Sequence, residues 1–132
     1  MDNPMNSAAQ LLLMLAFSVG LGGHSLPARA AGDVARGADV FAQECAECHS
    51  PREGKNKKGP SSFGVVGRKA ASLPDFVYSD AMKQSGIVWN AQKLDAYIAN
   101  PRAVVPGGKM KYDGLDNAQE RTDLIAYLSS LR

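Results

Sequence analysis

Cys45-Ala46-Glu47-Cys48-His49 is the stretch from which the rest of the chain can be read. Two thiols three positions apart, with a histidine directly after the second, form the attachment pattern of a c-type haem. Each Cys sulfur adds across one vinyl group of the porphyrin, which ties the ring to one short turn of backbone. His49 then lies under the iron and can supply a nitrogen ligand. Two other chemistries share elements of the pattern. A thioredoxin-like redox pair needs the two thiols but not the adjacent His, and it usually follows a strand in a βαβ unit. A zinc site takes about four ligands. No other Cys is present, and the one further His, His24, is far upstream, so the fourth would have to be a carboxylate. One covalently bound haem c (iron) per chain is the expected cofactor, held through Cys45 and Cys48 and ligated by His49.

The 132 residues allow one domain with a modest core. A formal net charge of +2, with no Lys/Arg stripe, argues against nucleic acid as a partner. Leu11 to Leu21 is a continuous apolar run, followed by Gly22-Gly23 and then by Pro27-Ala28-Arg29-Ala30-Ala31. The run and the A-x-A site at Ala28 and Ala30 read as a secretory signal peptide over residues 1–31. The run is shorter than the ~20 apolar residues of a bilayer span. It departs from the usual pattern in that no Lys or Arg precedes it and Asp2 is acidic. Cleavage is expected near Ala30 or Ala31, with a retained anchor as the alternative. Removal takes away one basic residue, Arg29, and one acidic residue, Asp2, so the charge of residues 32–132 is unchanged. Haem attachment points the same way, since c-type haems are normally joined outside the cytoplasm. The expected location is the periplasm.

In the remaining chain Asp33 is placed to cap a helix beginning at Val34. Val34, Ala38, Phe41 and Cys45 share one face at helical spacing, so this helix brings its apolar side to the haem thiols. Gly37 within it costs about 1 kcal/mol relative to Ala, which suggests close approach of another helix. From Ser50 to Ala71, glycines and prolines keep the chain in loops that can pack on a porphyrin in place of a second protein layer. Lys55, Lys57 and Lys58 read as a solvated turn, or else as a docking patch. Ser79 and Gly86 bracket a short helix, and Asn90 caps the next, which turns Leu94, Tyr97 and Ile98 inward and stops before Asn100-Pro101. Val104 to Met110 reads as a tight extended segment. Asn117, with Glu120 three residues on, opens the final helix, whose stripe is Leu124, Tyr127, Leu128 and Leu131. With neither alternating strands nor an internal repeat, the expected fold class is all-α.

A six-coordinate haem needs a ligand on its far face, for which His, Met, Lys or an open position are the usual choices. His24 lies in the segment expected to be removed. Met82 and Met110 are then the methionines of the exported chain. Met82 falls within a short helix, where a Met is more often packing material. Met110 ends a Pro-Gly-Gly-Lys loop able to wrap over the opposite face, so it is the expected second iron ligand.

Taken in order, Gly32-Asp33-Val34, Gly37, Phe41, the Cys45–His49 motif, Gly59-Pro60, Gly67-Arg68-Lys69, Tyr78-Ser79-Asp80-Ala81, Trp89, Leu94, Tyr97, Asn100-Pro101, Pro106-Gly107, Lys109-Met110 and Asp123 to Leu128 form a recognisable series. Over residues 32–132 the chain resembles the class I cytochromes c, most of all the mitochondrial-type and bacterial cytochrome c2 branch. The resemblance implies a class I cytochrome c fold, in which the first and last helices cross with Gly37 and Phe41 against Leu124 and Tyr127. It implies that Pro60 offers its carbonyl to the free ring nitrogen of His49, a bond that fixes the imidazole and raises its basicity. It also implies that Arg68, Tyr78 and Trp89 hold the inner haem propionate, and that the Tyr97 hydroxyl lies beside the Met sulfur.

Several positions depart from that family. Ser61-Ser62-Phe63 replaces the common Asn-Leu-His, Met82 replaces an Asn, and Gly108 stands where Thr usually precedes Lys-Met. The last two remove polar partners near Tyr97 and Met110, and Gly108 loosens the ligand loop. Easier loss of Met110 at high pH is expected, with Lys109 as its replacement. Glu44 stands where Lys is usual before the first Cys, so docking should depend less on salt than it does for a strongly basic carrier.

The function implied is one-electron transfer by a soluble monomer, not an enzyme, between larger membrane or periplasmic redox proteins. Neither a small-molecule substrate nor nucleic acid is expected. The alternative is a haem peroxidase or gas-binding sensor, if Met110 leaves readily.

Overall fold

The computed structural model describes residues 31–132, so the signal-peptide reading of residues 1–31 lies outside the described residues except for Ala31. Five α-helices are present among these residues: α1 (Val34–Val40), α2 (Asp80–Gln84), α3 (Ala91–Ala99), α4 (Pro101–Val104) and α5 (Ala118–Ser130). Among the described residues the only β-type pairing is an isolated bridge between Lys69 and Val88, which agrees with an all-α chain. Among the described residues, no helix is long and apolar enough to cross a membrane.

Helix starts follow the capping chemistry. Asp33, Ser79, Asn90 and Asn117 each accept a backbone N–H from the first turn of the helix they open, which satisfies donors that have no partner within the helix. Gly86, just beyond α2, takes a positive φ of 65°, the left-handed conformation that ends helices at little cost to Gly.

The crossing of α1 and α5 organises the domain. A Cβ built on Gly37 would sit 2.0 Å from the Asp123 carbonyl oxygen and 2.8 Å from the Tyr127 Cβ. The close approach expected at this position is therefore real. Gly32 has the same role just ahead of α1, against the Thr122 carbonyl and the Ala126 methyl. Phe41 stacks at a tilt on Tyr127, with ring centroids 5.5 Å apart, and Leu124 is wholly buried at 0% exposure.

Three local expectations need correction. Val34 is 47% exposed instead of facing the core, because the glycines on either side of it carry the approach to α5. The helix does not run on as a regular α-helix to Cys45: Phe41–Cys45 is a π-helical turn, with the Ala46 N–H bonded to the Phe41 carbonyl at 2.9 Å. The added residue breaks the 3.6-residue register on which the expected face was drawn. Val104 belongs to a helix, α4, that Pro101 opens from its first position, where a missing N–H costs nothing.

Asp123, buried at 3% exposure, ties the crossing together. It accepts the Asp33 backbone N–H at 2.8 Å, the Gln119 amide at 3.0 Å and the Arg36 guanidinium at 3.1 Å. These bonds, led by the one from Asp33, hold its carboxyl below the usual pKa. The rest of the core is a single cluster in which Phe41, Trp89, Leu94, Ile98, Leu115, Leu124, Ile125 and Leu128 pack together, with Tyr97, Tyr112 and Met82 at its margin.

Candidate haem site

The π-helical turn delivers Cys45, and a tight turn follows in which the Cys48 and His49 N–H groups both bond the Cys45 carbonyl, at 3.1 and 2.8 Å. Both thiols and the imidazole therefore sit on one short piece of backbone. Cys45 and Cys48 are free. Burial, reinforced by Glu44 and Cys48, pushes the Cys45 thiol up to about 12. A thioredoxin-type pair requires the opposite, a thiol readily ionised near neutral pH. Neither thiol is tied up in a disulfide.

His49 is held by the Gly59-Pro60 dipeptide. Its Nδ1 lies 2.8 Å from the Pro60 carbonyl oxygen. A carbonyl only accepts, so Nδ1 carries the proton and Nε2 keeps its lone pair free. Burial lowers the imidazole pKa, against the opposing pull of the Pro60 bond, which favours the neutral ring a metal requires. A Cβ on neighbouring Gly59 would fall 2.4 Å from the ring's Cε1, so only Gly lets the ring lie against this backbone. The Gly59 N–H in turn bonds the Cys48 carbonyl at 2.7 Å. The Gly59-Pro60 dipeptide is visible in the sequence, but the need for glycine under the ring is seen only in three dimensions.

The loop after this turn is fixed by Ser61 and Arg68. Ser61 is buried, and its hydroxyl donates to the Arg52 carbonyl at 2.6 Å while its N–H meets the Asn56 side chain at 2.8 Å. Arg68 donates to the carbonyls of Phe63 and Ser61 at 2.7 and 2.8 Å. Burial lowers the Arg68 pKa, and nearby Tyr78 acts in the opposite direction. Trp89 is linked to the same strip of chain, its N–H bonding the Arg68 carbonyl at 2.9 Å and its carbonyl accepting from Gly67 at 2.6 Å. Arg68 and Trp89 are thus joined through the backbone, Tyr78 is near enough to act on the guanidinium, and the guanidinium braces the loop.

Met110 and Tyr97 line one recess, together with Pro101, Arg102, Val105 and Gly108. The Tyr97 ring packs on Trp89 at 4.9 Å, and burial raises its hydroxyl pKa. Met82 is half-buried against the core, as expected of a packing methionine. Around the cysteine turn, two lysines are engaged: Lys57 donates to the Ala46 carbonyl and Lys58 pairs with Glu47. The structure also shows a contact that sequence reasoning missed, in which the Tyr112 hydroxyl donates to the Glu44 carboxylate at 2.7 Å. Its signal is split between an aromatic and an acid 68 residues apart. Burial first, and Glu44 second, raise the Tyr112 pKa.

A helical domain closed by crossing end helices, with two free thiols and a tethered neutral His in one turn, defines a covalent haem-binding class of protein. The family model for cytochrome c matches residues 34–132. The chain is 50% identical over 107 residues to cytochrome c2 of Rhodomicrobium vannielii, covering 80% of this chain and 85% of that one. It is 47% identical over 100 residues to cytochrome c of Gibberella zeae, covering 75% and 94%. Among solved structures, cytochrome cH from Methylobacterium extorquens matches with a TM-score of 0.70 at 40% identity, covering 75% of this chain and 99% of that one. The chain belongs to the cytochrome c family and has the class I cytochrome c fold. Its cofactor is covalently attached haem c, and the family consists of electron carriers working with redox-protein partners.

Proposed function

We propose that the protein is an exported, soluble one-electron carrier in which Cys45 and Cys48 hold the haem covalently and His49 and Met110 ligate its iron. The observation that carries this reading is the His49–Pro60 bond of 2.8 Å. It leaves Nε2 as the free nitrogen in the same turn as two unpaired thiols. The haem supplies the one-electron couple between ferrous and ferric iron. The protein's contribution is positional: Pro60 and Gly59 fix the imidazole, and the loop through Gly108 carries Met110 into the recess beside Tyr97. Arg68, Tyr78 and Trp89 supply a cation and polar donors for the inner propionate, a charge that is expensive to bury unpaired. Residues 1–31 act as the signal peptide, the carrier works in the periplasm as a monomer, and its donor and acceptor are larger redox proteins there or in the membrane. It makes or breaks no bond of a substrate.

The test is a visible spectrum of the purified holoprotein together with CO addition to its reduced form at neutral pH. A Met–iron band in the ferric state and slow or absent CO binding are expected. Rapid CO binding would overturn the carrier reading in favour of a peroxidase or gas sensor.

A further inference from the structure

The loop bearing Met110 is anchored in the backbone at its two ends. At one end the Gly108 N–H bonds the Val105 carbonyl at 3.0 Å, and at the other the Leu115 N–H bonds the Ile98 carbonyl at 3.0 Å. The base of the loop is intrinsically loose, since Gly107 has a φ of 82° and a second glycine follows it. Between the anchors, Asp113 pairs with Arg102 at 3.3 Å, but both side chains are well exposed, and such pairs contribute little.

Tyr112 is different. Its hydroxyl bond to exposed Glu44 also lies at the surface, but its ring packs at the margin of the core, which holds the hydroxyl in place, and the 2.7 Å separation is typical of a hydrogen bond to a charged acceptor. Tyr112 is two residues past Met110, and Glu44 directly precedes Cys45. The bond therefore joins the segment carrying the far-side Met to the segment carrying the thiols and His49. We propose that Tyr112 and Glu44 are a positioning pair, whose hydrogen bond straps the Met110 loop to the cysteine-bearing turn and slows departure of Met110 from the iron. This rests on the His49/Met110 ligation proposed above. It gives a structural role to the acid at position 44, beside its effect on the charge of this face. It also offsets the freedom introduced by Gly108: the loop is loose at its base and pinned beyond the ligand.

The experiment is stopped-flow binding of imidazole to the ferric holoprotein, at concentrations where Met departure limits the rate. Tyr112→Phe, which keeps the ring, and Glu44→Ala should each speed binding roughly fivefold, as expected for one lost hydrogen bond. The double variant should be no faster than either single one. Glu44→Gln, which keeps an acceptor oxygen, should restore most of the wild-type rate, a rescue that a general loss of packing would not show. Unchanged rates, or effects of the two single variants that multiply in the double, would overturn the strap while leaving the ligation reading in place. Absence of the Met–iron band from the wild-type ferric spectrum would instead overturn the ligation reading, and the strap with it.

Discussion

Gly37 of α1 lies so close to Asp123 of α5 that a Cβ on it would stand 2.0 Å from that residue's carbonyl oxygen. The obstacle is backbone, which cannot swing aside as a flexible side chain would. Gly37→Ala would gain up to about 1 kcal/mol in helix propensity yet force the two helices apart. A net destabilisation of about 3 kcal/mol is expected from overpacking at a tight site, measured by denaturant unfolding of the holoprotein. A variant as stable as wild type would show that the helices can separate freely.

Asp123 makes the same crossing sensitive to acid. Its carboxyl is held below the usual pKa, chiefly by the Asp33 N–H, so the folded state binds a proton there less readily than the unfolded chain does. The stabilisation is present above the unfolded pKa of about 4 and is lost as pH falls through the lower folded value. Asp123→Asn should lower the melting temperature at neutral pH and flatten its fall on acidification. The check is a series of thermal melts from neutral pH down to about pH 3, below the unfolded pKa; parallel curves for the two proteins would refute it.

At Gly108 the substitution should stabilise the ligand loop. A Cβ there would meet the Val105 carbonyl at 3.1 Å, a contact that small shifts can relieve. Ala removes conformational freedom worth roughly 0.4–1 kcal/mol. In Gly108→Ala, loss of the Met–iron band should move up by about half a pH unit in alkaline titrations. Loss of the band at the same pH as in wild type, or earlier, would count against a loose loop.

The charges near the cysteine turn bear on docking. Lys58 is paired with Glu47, and Glu44 lies next to Cys45, so the positive field on this face is partly cancelled. Electron-transfer rates with a purified redox partner should fall only gently with ionic strength. Glu47→Gln should steepen that fall by freeing Lys58. A wild-type slope already as steep as the variant's would contradict the cancellation.

Much of this was legible in the sequence, and the reasons are local. The haem motif is contiguous, the capping residues Asp33, Ser79, Asn90 and Asn117 each act on N–H groups two or three positions away, and the α5 stripe is a matter of helical period. What was not legible depends on distant pairs or on a departure from regular period. The π-helical turn at Phe41–Cys45 leaves no signature in hydrophobic spacing and instead breaks it. Asp123 reads as an ordinary surface acid until Asp33, 90 residues earlier, is seen to donate to it. Glu44 and Tyr112 each have an ordinary solvent-facing explanation, and only folding puts them in contact.

The α1–α5 crossing also ties the haem turn to the far end of the chain. The helix leading into Cys45 finds its partner in a segment some 90 residues downstream, and closing a loop of that length carries an entropic cost. In the folded chain α5 is the helix packed behind the segment that leads into the two thiols and His49. The backing of the thiol-bearing turn is therefore supplied by the far end of the chain, so the two ends of the domain are needed together to hold one haem-attachment turn.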